Sequence, residues 1–367
     1  MNTTSQIHST PLPAREGQGG GSSNLRIVFM GTPDFAVASL RALVENSYNV
    51  VAVVTMPDKP VGRHHDTLQA SPVKQYAVEQ GIPVLQPERL KDEAFLEQLR
   101  SYRADLQIVV AFRMLPEVVW AMPPMGTFNL HAALLPQYRG AAPINWAVIN
   151  GETETGVTTF FLDHDIDTGR IIHRVSSPIA DTDTVGDVYD RLMVLGADLV
   201  LKTVNDIAAG TIETIDQKEL VDNGQGTMDN GGAGSGSLRP APKLFKENTQ
   251  IRWSQHTVKS AYDFIRGLSP YPGAWTTLRT ADGKETQLKV FFAEKDFKNG
   301  QLTMDNEQLD AQEQLHYPLS IVHSALAVSL PDGNLRLTDI QLAGKRRMSA
   351  SDFLRGAHLE GATLVEK

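Results

Sequence analysis

Apolar positions along this chain fall into two rhythms. Short continuous runs at Leu25 to Met30, Val50 to Val54, Leu106 to Ala111 and Phe128 to His131 predict strands, and the Val50 and Leu106 runs read as buried on both faces. Between them, helical spacing predicts helices over Phe35 to Glu45, Pro72 to Gln80, Ala94 to Tyr102 and Val118 to Met122, with a short strand at Pro83 to Leu85. Pro57 to Ser71 has no period and reads as a loop. Strands alternating with helices predict an α/β domain built on a doubly wound, Rossmann-like parallel sheet. Right-handed crossovers then gather the strand ends, and with them the site, along one edge.

The second half reads differently. Ala142 to Asn150 predicts a helix, Val157 to Leu162 and Ile171 to Val175 a hairpin across Asp163 to Gly169, and Thr184 to Ala209 a long amphipathic helix. Residues 222–242 are rich in Gly, Ser, Asn and Pro without apolar spacing, which predicts a linker. Beyond it, a helix over Val258 to Arg266 is followed by short strands at Gly273 to Leu278, Leu288 to Ala293, Ala325 to Val328 and Leu335 to Gln341. These predict a small β-barrel of OB-like type. The expected organisation is a disordered leader over 1–24, a catalytic domain over 25–221, the linker over 222–242 and a barrel domain over 243–367.

Composition narrows the function. The chain has 367 residues, 41% hydrophobic and 21% charged, enough for two cores. It has no cysteine, which excludes disulfides, thiolate metal sites and cysteine nucleophiles and suits a reducing cytoplasm. No apolar run reaches the length of a membrane span, and the polar start has no apolar h-region, so it reads as a disordered leader rather than a signal peptide. A net charge of −9 argues against a nonspecific nucleic-acid binder but leaves room for a local basic face.

The candidate chemistry lies in Asn129-Leu130-His131 and Asp167. Period-2 alternation puts Asn129 and His131 on one face at a strand end, and Asp167 sits in a loop that can fold back. An imidazole beside a carboxylate can move a proton, and an amide N–H can donate to an oxygen that becomes negative. The competing reading is a strand-end histidine satisfied by backbone and an aspartate capping a turn. Gly31-Thr32-Pro33-Asp34 lacks the G-x-G-x-x-G spacing, which disfavours a nicotinamide dehydrogenase. Lys59 and Arg63 stand in the loop that leaves the second strand, and Arg139 suits either a ligand clamp or a structural acid. Lys345-Arg346-Arg347 is the densest basic cluster of the second half, a phosphate-binding face or a solvated surface.

Asn129-x-His131-x-x-Leu134-Leu135-Pro136-x-Tyr138-Arg139-Gly140, with Asp163 to Gly169 downstream, resembles the folate-dependent formyltransferases. Gly31-Thr32-Pro33-Asp34-Phe35, Pro57 to Arg63, Ser71-Pro72-Val73-Lys74 and Ala343-Gly344-Lys345-Arg346-Arg347-Met348-Ser349 resemble the branch that acts on methionyl-tRNA. The resemblance implies formyl transfer from 10-formyltetrahydrofolate to the α-amine of methionyl initiator tRNA, without a metal, in the cytoplasm and by a monomer. It further implies that Asn129, His131 and Asp167 are catalytic and that Ala133, Leu134, Leu135 and Pro136 line the folate site. Arg63, Lys345, Arg346 and Arg347 are implied to meet tRNA.

Four departures stand out. Ala133 occupies a position where the family usually carries Ser, and Phe112-Arg113-Met114 replaces an aromatic-Gly stretch. His64-His65-Asp66 follows Arg63 where Gly and lysines are common, and the linker is long. The competing functions are formylation of an amino sugar nucleotide and, in a different class, a nucleic-acid-binding module on a degenerate enzyme domain. The complete Asn129, His131 and Asp167 set argues against the latter.

Overall fold

Strand formation in the first half follows the apolar runs closely. The computed structural model describes residues 24–61, 67–222, 238–297, 316–322, 325–356, 359 and 361–366. Its sheet contains β1 (Arg26–Gly31), β2 (Asn49–Val54), β3 (Val84–Leu85), β4 (Leu106–Val110), β5 (Thr127–His131), β6 (Glu154–Phe161) and β7 (Ile171–Pro178) in the order β7-β6-β5-β4-β1-β2-β3. The pairs from β3 through β5 are parallel. Ile27 to Met30 and all of β4 are buried, as strands covered on both faces must be. The one polar residue inside β4, Gln107, accepts through Oε1 from the Thr127 hydroxyl at 3.1 Å, while its buried Nε2 has no partner among the described residues. Helices α1 (Asp34–Glu45), α2 (Pro72–Glu79), α3 (Glu93–Ser101) and α4 (Glu117–Trp120) join these strands.

Two features differ from the sequence expectation. β6 runs antiparallel to β5, pairing Phe128 with Phe161 and His131 with Thr158, so the sheet is mixed at that end. The stretch Pro57 to Ser71 also contains regular structure, because Lys59–Val61 pairs antiparallel with Thr67–Gln69. Only three residue pairs form that ribbon, too few for a period to show. Its tip, residues 62–66, lies outside the described residues, and Arg63 with it; the leader over residues 1–23 and linker residues 223–237 do so too.

By its contacts the chain divides into two units that interleave along the sequence. The first takes residues up to Arg139, then Thr155–Pro178 and Arg191–Arg239; the second takes Gly140–Glu154, Ile179–Asp190 and Pro240–Lys367. Helix α5 (Pro143–Ile149) therefore belongs with the second unit, while α6 (Val185–Ala209) contributes to both.

In the second unit, β8 (Ala274–Arg279), β9 (Glu285–Phe297), β10 (His316–Val322), β11 (Ala325–Leu330), β12 (Gly333–Leu342), β13 (Met348–Ser349) and β14 (Thr363–Val365) form an antiparallel sheet. An additional pairing of β9 with β12 bends it into a barrel-like form. Helix α8 (Val258–Gly267) packs on it through Val258, Ala261 and Ile265, and its start is held by a Thr257–Ser260 capping box. Arg266 and Asp263 form a buried ion pair at 2.7 Å. The same guanidinium donates to the carbonyl oxygens of Ala180 (3.2 Å) and Asp183 (2.8 Å), which fastens the 179–190 segment to α8. No helix among the described residues is long and apolar enough to cross a membrane.

Candidate active site

β5 is regular: Asn129 sits opposite Val109 on one side and Phe160 on the other, and His131 sits opposite Thr158. Asn129 and His131 therefore project to the same face. Asn129 is half-buried, and its amide makes no hydrogen bond among the described residues. His131 is buried. Its Nε2 lies 2.8 Å from the carbonyl oxygen of Tyr138; a carbonyl only accepts, so Nε2 carries the proton. The other ring nitrogen, Nδ1, faces Asp167 Oδ2 at 3.7 Å. Both readings of this histidine are thus realised in one ring. Backbone satisfies one nitrogen, and a carboxylate stands before the other.

The loop from Leu162 to Arg170 carries Asp167 to that position in a constrained way. Asp167 has φ +55°, in the left-handed region that aspartate tolerates better than most residues. Gly169 follows where a Cβ would stand 1.7 Å from the Phe161 carbonyl oxygen, so only glycine fits. Tyr138 is also left-handed at φ +59° although bulky. It is held by its N–H donating to the Arg239 carbonyl at 2.7 Å, while Arg239 N–H donates to Gln137 Oε1, also at 2.7 Å. The backbone that receives His131 is thereby locked from the far side of the Gly-rich stretch.

Between His131 and Tyr138, the segment Ala133–Pro136 is braced from within. The Thr158 hydroxyl donates to Ala133 O at 2.6 Å and accepts from Leu135 N at 3.1 Å. Leu134 O accepts from Gln137 N, and Leu135 O from Arg174 Nη1 at 3.0 Å. Ala133 and Leu135 are fully buried, whereas Leu134 is half-buried. Burial pushes the Arg174 guanidinium down from its ordinary value.

Arg139, open at first to two readings, turns toward the interior. Its Nε and Nη2 donate to Gln217 Oε1 at 3.1 and 2.6 Å. Burial pushes its guanidinium down, and the nearby Asp167 charge opposes that shift. Sequence reasoning missed Gln217, Thr158 and Arg174. Gln217 stands in the polar run Asp216-Gln217-Lys218-Glu219, where nothing sets it apart from its neighbours.

Around these groups, Arg113 donates to Pro87 O and Glu88 O, which ties the segment after β4 to the one after β3. The Thr32 hydroxyl, buried in the turn after β1, has no partner among the described residues. Met114 and Ile166 expose 75% and 62% of their surface. No group of three or more His, Cys, Asp or Glu side chains suited to a metal ion occurs among the described residues.

The family model for formyl transferase matches residues 25–204, and that for the formyl transferase C-terminal domain matches 243–358. The chain belongs to the formyltransferase family. Two members similar to it are the methionyl-tRNA formyltransferases of Parabacteroides distasonis and Bacteroides thetaiotaomicron. The first is 58% identical over 91% of this chain and 96% of its own length; the second is 55% identical over 92% and 97%. Among solved structures, HypX from Aquifex aeolicus in complex with tetrahydrofolic acid shares the formyltransferase fold. It has a TM-score of 0.55 at 18% identity, covering 90% of this chain and 47% of that one. The N-formyltransferase from Helicobacter canadensis does so at a TM-score of 0.54 and 20% identity, over 85% and 98%.

In the second unit of this formyltransferase, Lys345 and Arg346 are exposed on the turn between β12 and β13. Arg347 is exposed on the same turn but is engaged by neighbouring side chains. It grips Asp339 through both carboxylate oxygens (2.7–3.0 Å) and stacks over Phe291 at 4.1 Å. Lys243 lies over Phe245 at 5.3 Å and Lys246 over Trp275 at 5.5 Å.

Proposed function

We propose that this formyltransferase moves the formyl group of 10-formyltetrahydrofolate onto the α-amine of methionyl initiator tRNA. The observation that carries the chemistry is the approach of Asp167 to His131 on the face that Asn129 shares. The acceptor is argued from the near-full-length similarity to the methionyl-tRNA formyltransferases named above. The described residues fit a polar, formyl-bearing cosubstrate: the Asn129 amide is unengaged, and the buried Thr32 hydroxyl lacks a partner among them.

A free α-amine has a pKa of about 7.7–8.0, so part of it is already nucleophilic near neutral pH and no covalent enzyme intermediate is needed. The Asn129 amide donates to the oxygen on which negative charge develops as the amine attacks the formyl carbon. His131, its Nε2 proton held by Tyr138 O, presents Nδ1 to take the proton the amine loses. Asp167 stabilises the imidazolium so formed, and the proton passes on to the leaving nitrogen. Ala133 to Pro136 serve as a rigid wall of the folate site, because their main chain is already braced. Arg63, Lys345 and Arg346 meet the tRNA, and Arg347 supports them by holding the turn.

Supplying the donor with charged initiator tRNA or with an amino sugar nucleotide tests the assignment. Formylated methionyl-tRNA is expected; formylation of the sugar alone overturns the acceptor. His131→Ala is expected to abolish formyl transfer, and unchanged turnover sinks the catalytic reading.

A further inference from the structure

Gln217 is the first residue of α7 (Gln217–Asp222) and is 1% exposed. Its amide is used to capacity. The two Nε2 hydrogens go to Asp167 O at 2.9 Å and Gly169 O at 2.8 Å. Its Oε1 receives both Arg139 Nε and Arg139 Nη2. One buried side chain thus joins the loop that carries Asp167 to the residue that follows Tyr138, whose carbonyl receives His131. It ties down both sides of the His131–Asp167 pair without touching either ring or carboxylate.

The geometry assigns Gln217 as the positioning residue of this formyltransferase: it holds the Asp167 main chain and the Arg139 guanidinium so that the Asp167 carboxylate stays before His131 Nδ1. No other side-chain type supplies this pattern at that length. A glutamate would turn an oxygen toward the two loop carbonyls, and a methionine would offer neither donor nor strong acceptor. Asp167 is left-handed, so the loop needs such a clamp to keep its backbone in that region. The segment also lies beyond residue 204, where the family's N-terminal match ends. The catalytic pair thus depends on a residue outside that match.

The inference rests on the reaction proposed above, and the test separates the two. Steady-state formylation by the full-length wild type, Gln217→Met and Gln217→Glu is measured with the acceptor the wild type uses, whichever that proves to be. The expected result is a kcat lower by roughly 10- to 100-fold in both variants, as for a catalytic group misplaced by about 1 Å. KM for the donor and for the acceptor stays within about twofold, because uniform binding is untouched. A purely structural role lowers the melting temperature and leaves kcat per folded enzyme at the wild-type level, and that outcome overturns the assignment. Wild-type enzyme that formylates only another amine overturns the acceptor reading and leaves this comparison intact. Should Gln217→Met fail to fold, Gln217→Glu decides, since it preserves volume and the Arg139 contact while losing the donors to the loop.

Discussion

Thr158→Val replaces a hydroxyl by a methyl of nearly the same size at a fully buried position. Two hydrogen bonds disappear, the 2.6 Å bond to Ala133 O and the 3.1 Å bond from Leu135 N. Both main-chain partners belong to fully buried residues, so each group loses a partner that water does not readily replace. An orphaned buried donor or acceptor costs about 1–3 kcal/mol, and two of them cost about 2–6 kcal/mol. For a unit of this size each kcal/mol lowers the melting temperature by about 2–4 °C, so the first unit's transition falls by at least about 4 °C. Thr158→Ser keeps the hydroxyl and loses only a methyl group, a cost of about 1 kcal/mol. Thr158 stands opposite His131 across β5 and β6, so relaxation of the freed segment also lowers kcat. Scanning calorimetry with parallel formylation kinetics reads both effects. A valine variant that melts within about 1 °C of wild type, or a serine variant as damaged as the valine one, refutes the bracing argument.

Two further outcomes are expected. Lys345→Ala and Arg346→Ala each reduce the steepness of salt inhibition with tRNA by about one unit of log–log slope. Arg347→Ala acts instead on the fold, lowering stability by about 1 kcal/mol through loss of its Asp339 pair and Phe291 stack, with the salt slope unchanged. The reverse pattern, read from activity at graded KCl and from thermal melts, sinks this division. Burial pushes the His256 imidazole down, against Glu366. It pushes His173 down as well, with Lys202 adding to the shift and Asp206 opposing it. Below their unfolded value of about 6.5 the unfolded chain then binds more protons. Their contribution to stability is complete above that pH and is lost as pH falls through the folded values. Urea midpoints from pH 7.5 to 5 are expected to decline, and His256→Gln to flatten the decline; a slope that the variant leaves unchanged removes His256 as a cause.

Much of the site was legible because its parts are local. Asn129 and His131 stand two residues apart in a strand, and a strand's period alone puts them on one face. The apolar runs that became β1 and β4 are continuous because both faces are covered, a condition written into each run, whereas in β2 only Ala52 to Val54 are buried and Val50 and Val51 are half-buried. The ribbon at Lys59–Val61 stayed illegible because three pairs carry no period, and the antiparallel setting of β6 because apolar content does not encode direction.

By itself the sequence determined most of the sheet strands and helices of the first half, the donor and acceptor types brought to the site, and the absence of any thiol chemistry. Tertiary structure decided which groups meet. Gln217 reaches Asp167 across 50 residues of sequence and Arg139 across 78. Of three adjacent, exposed basic residues, Arg347 alone grips Asp339 among the ion pairs of the described residues. Local pattern records whether a side chain is apolar and how often it recurs. A buried amide or guanidinium instead finds its partner by where packing leaves an unsatisfied donor or acceptor, and only the folded chain holds that information.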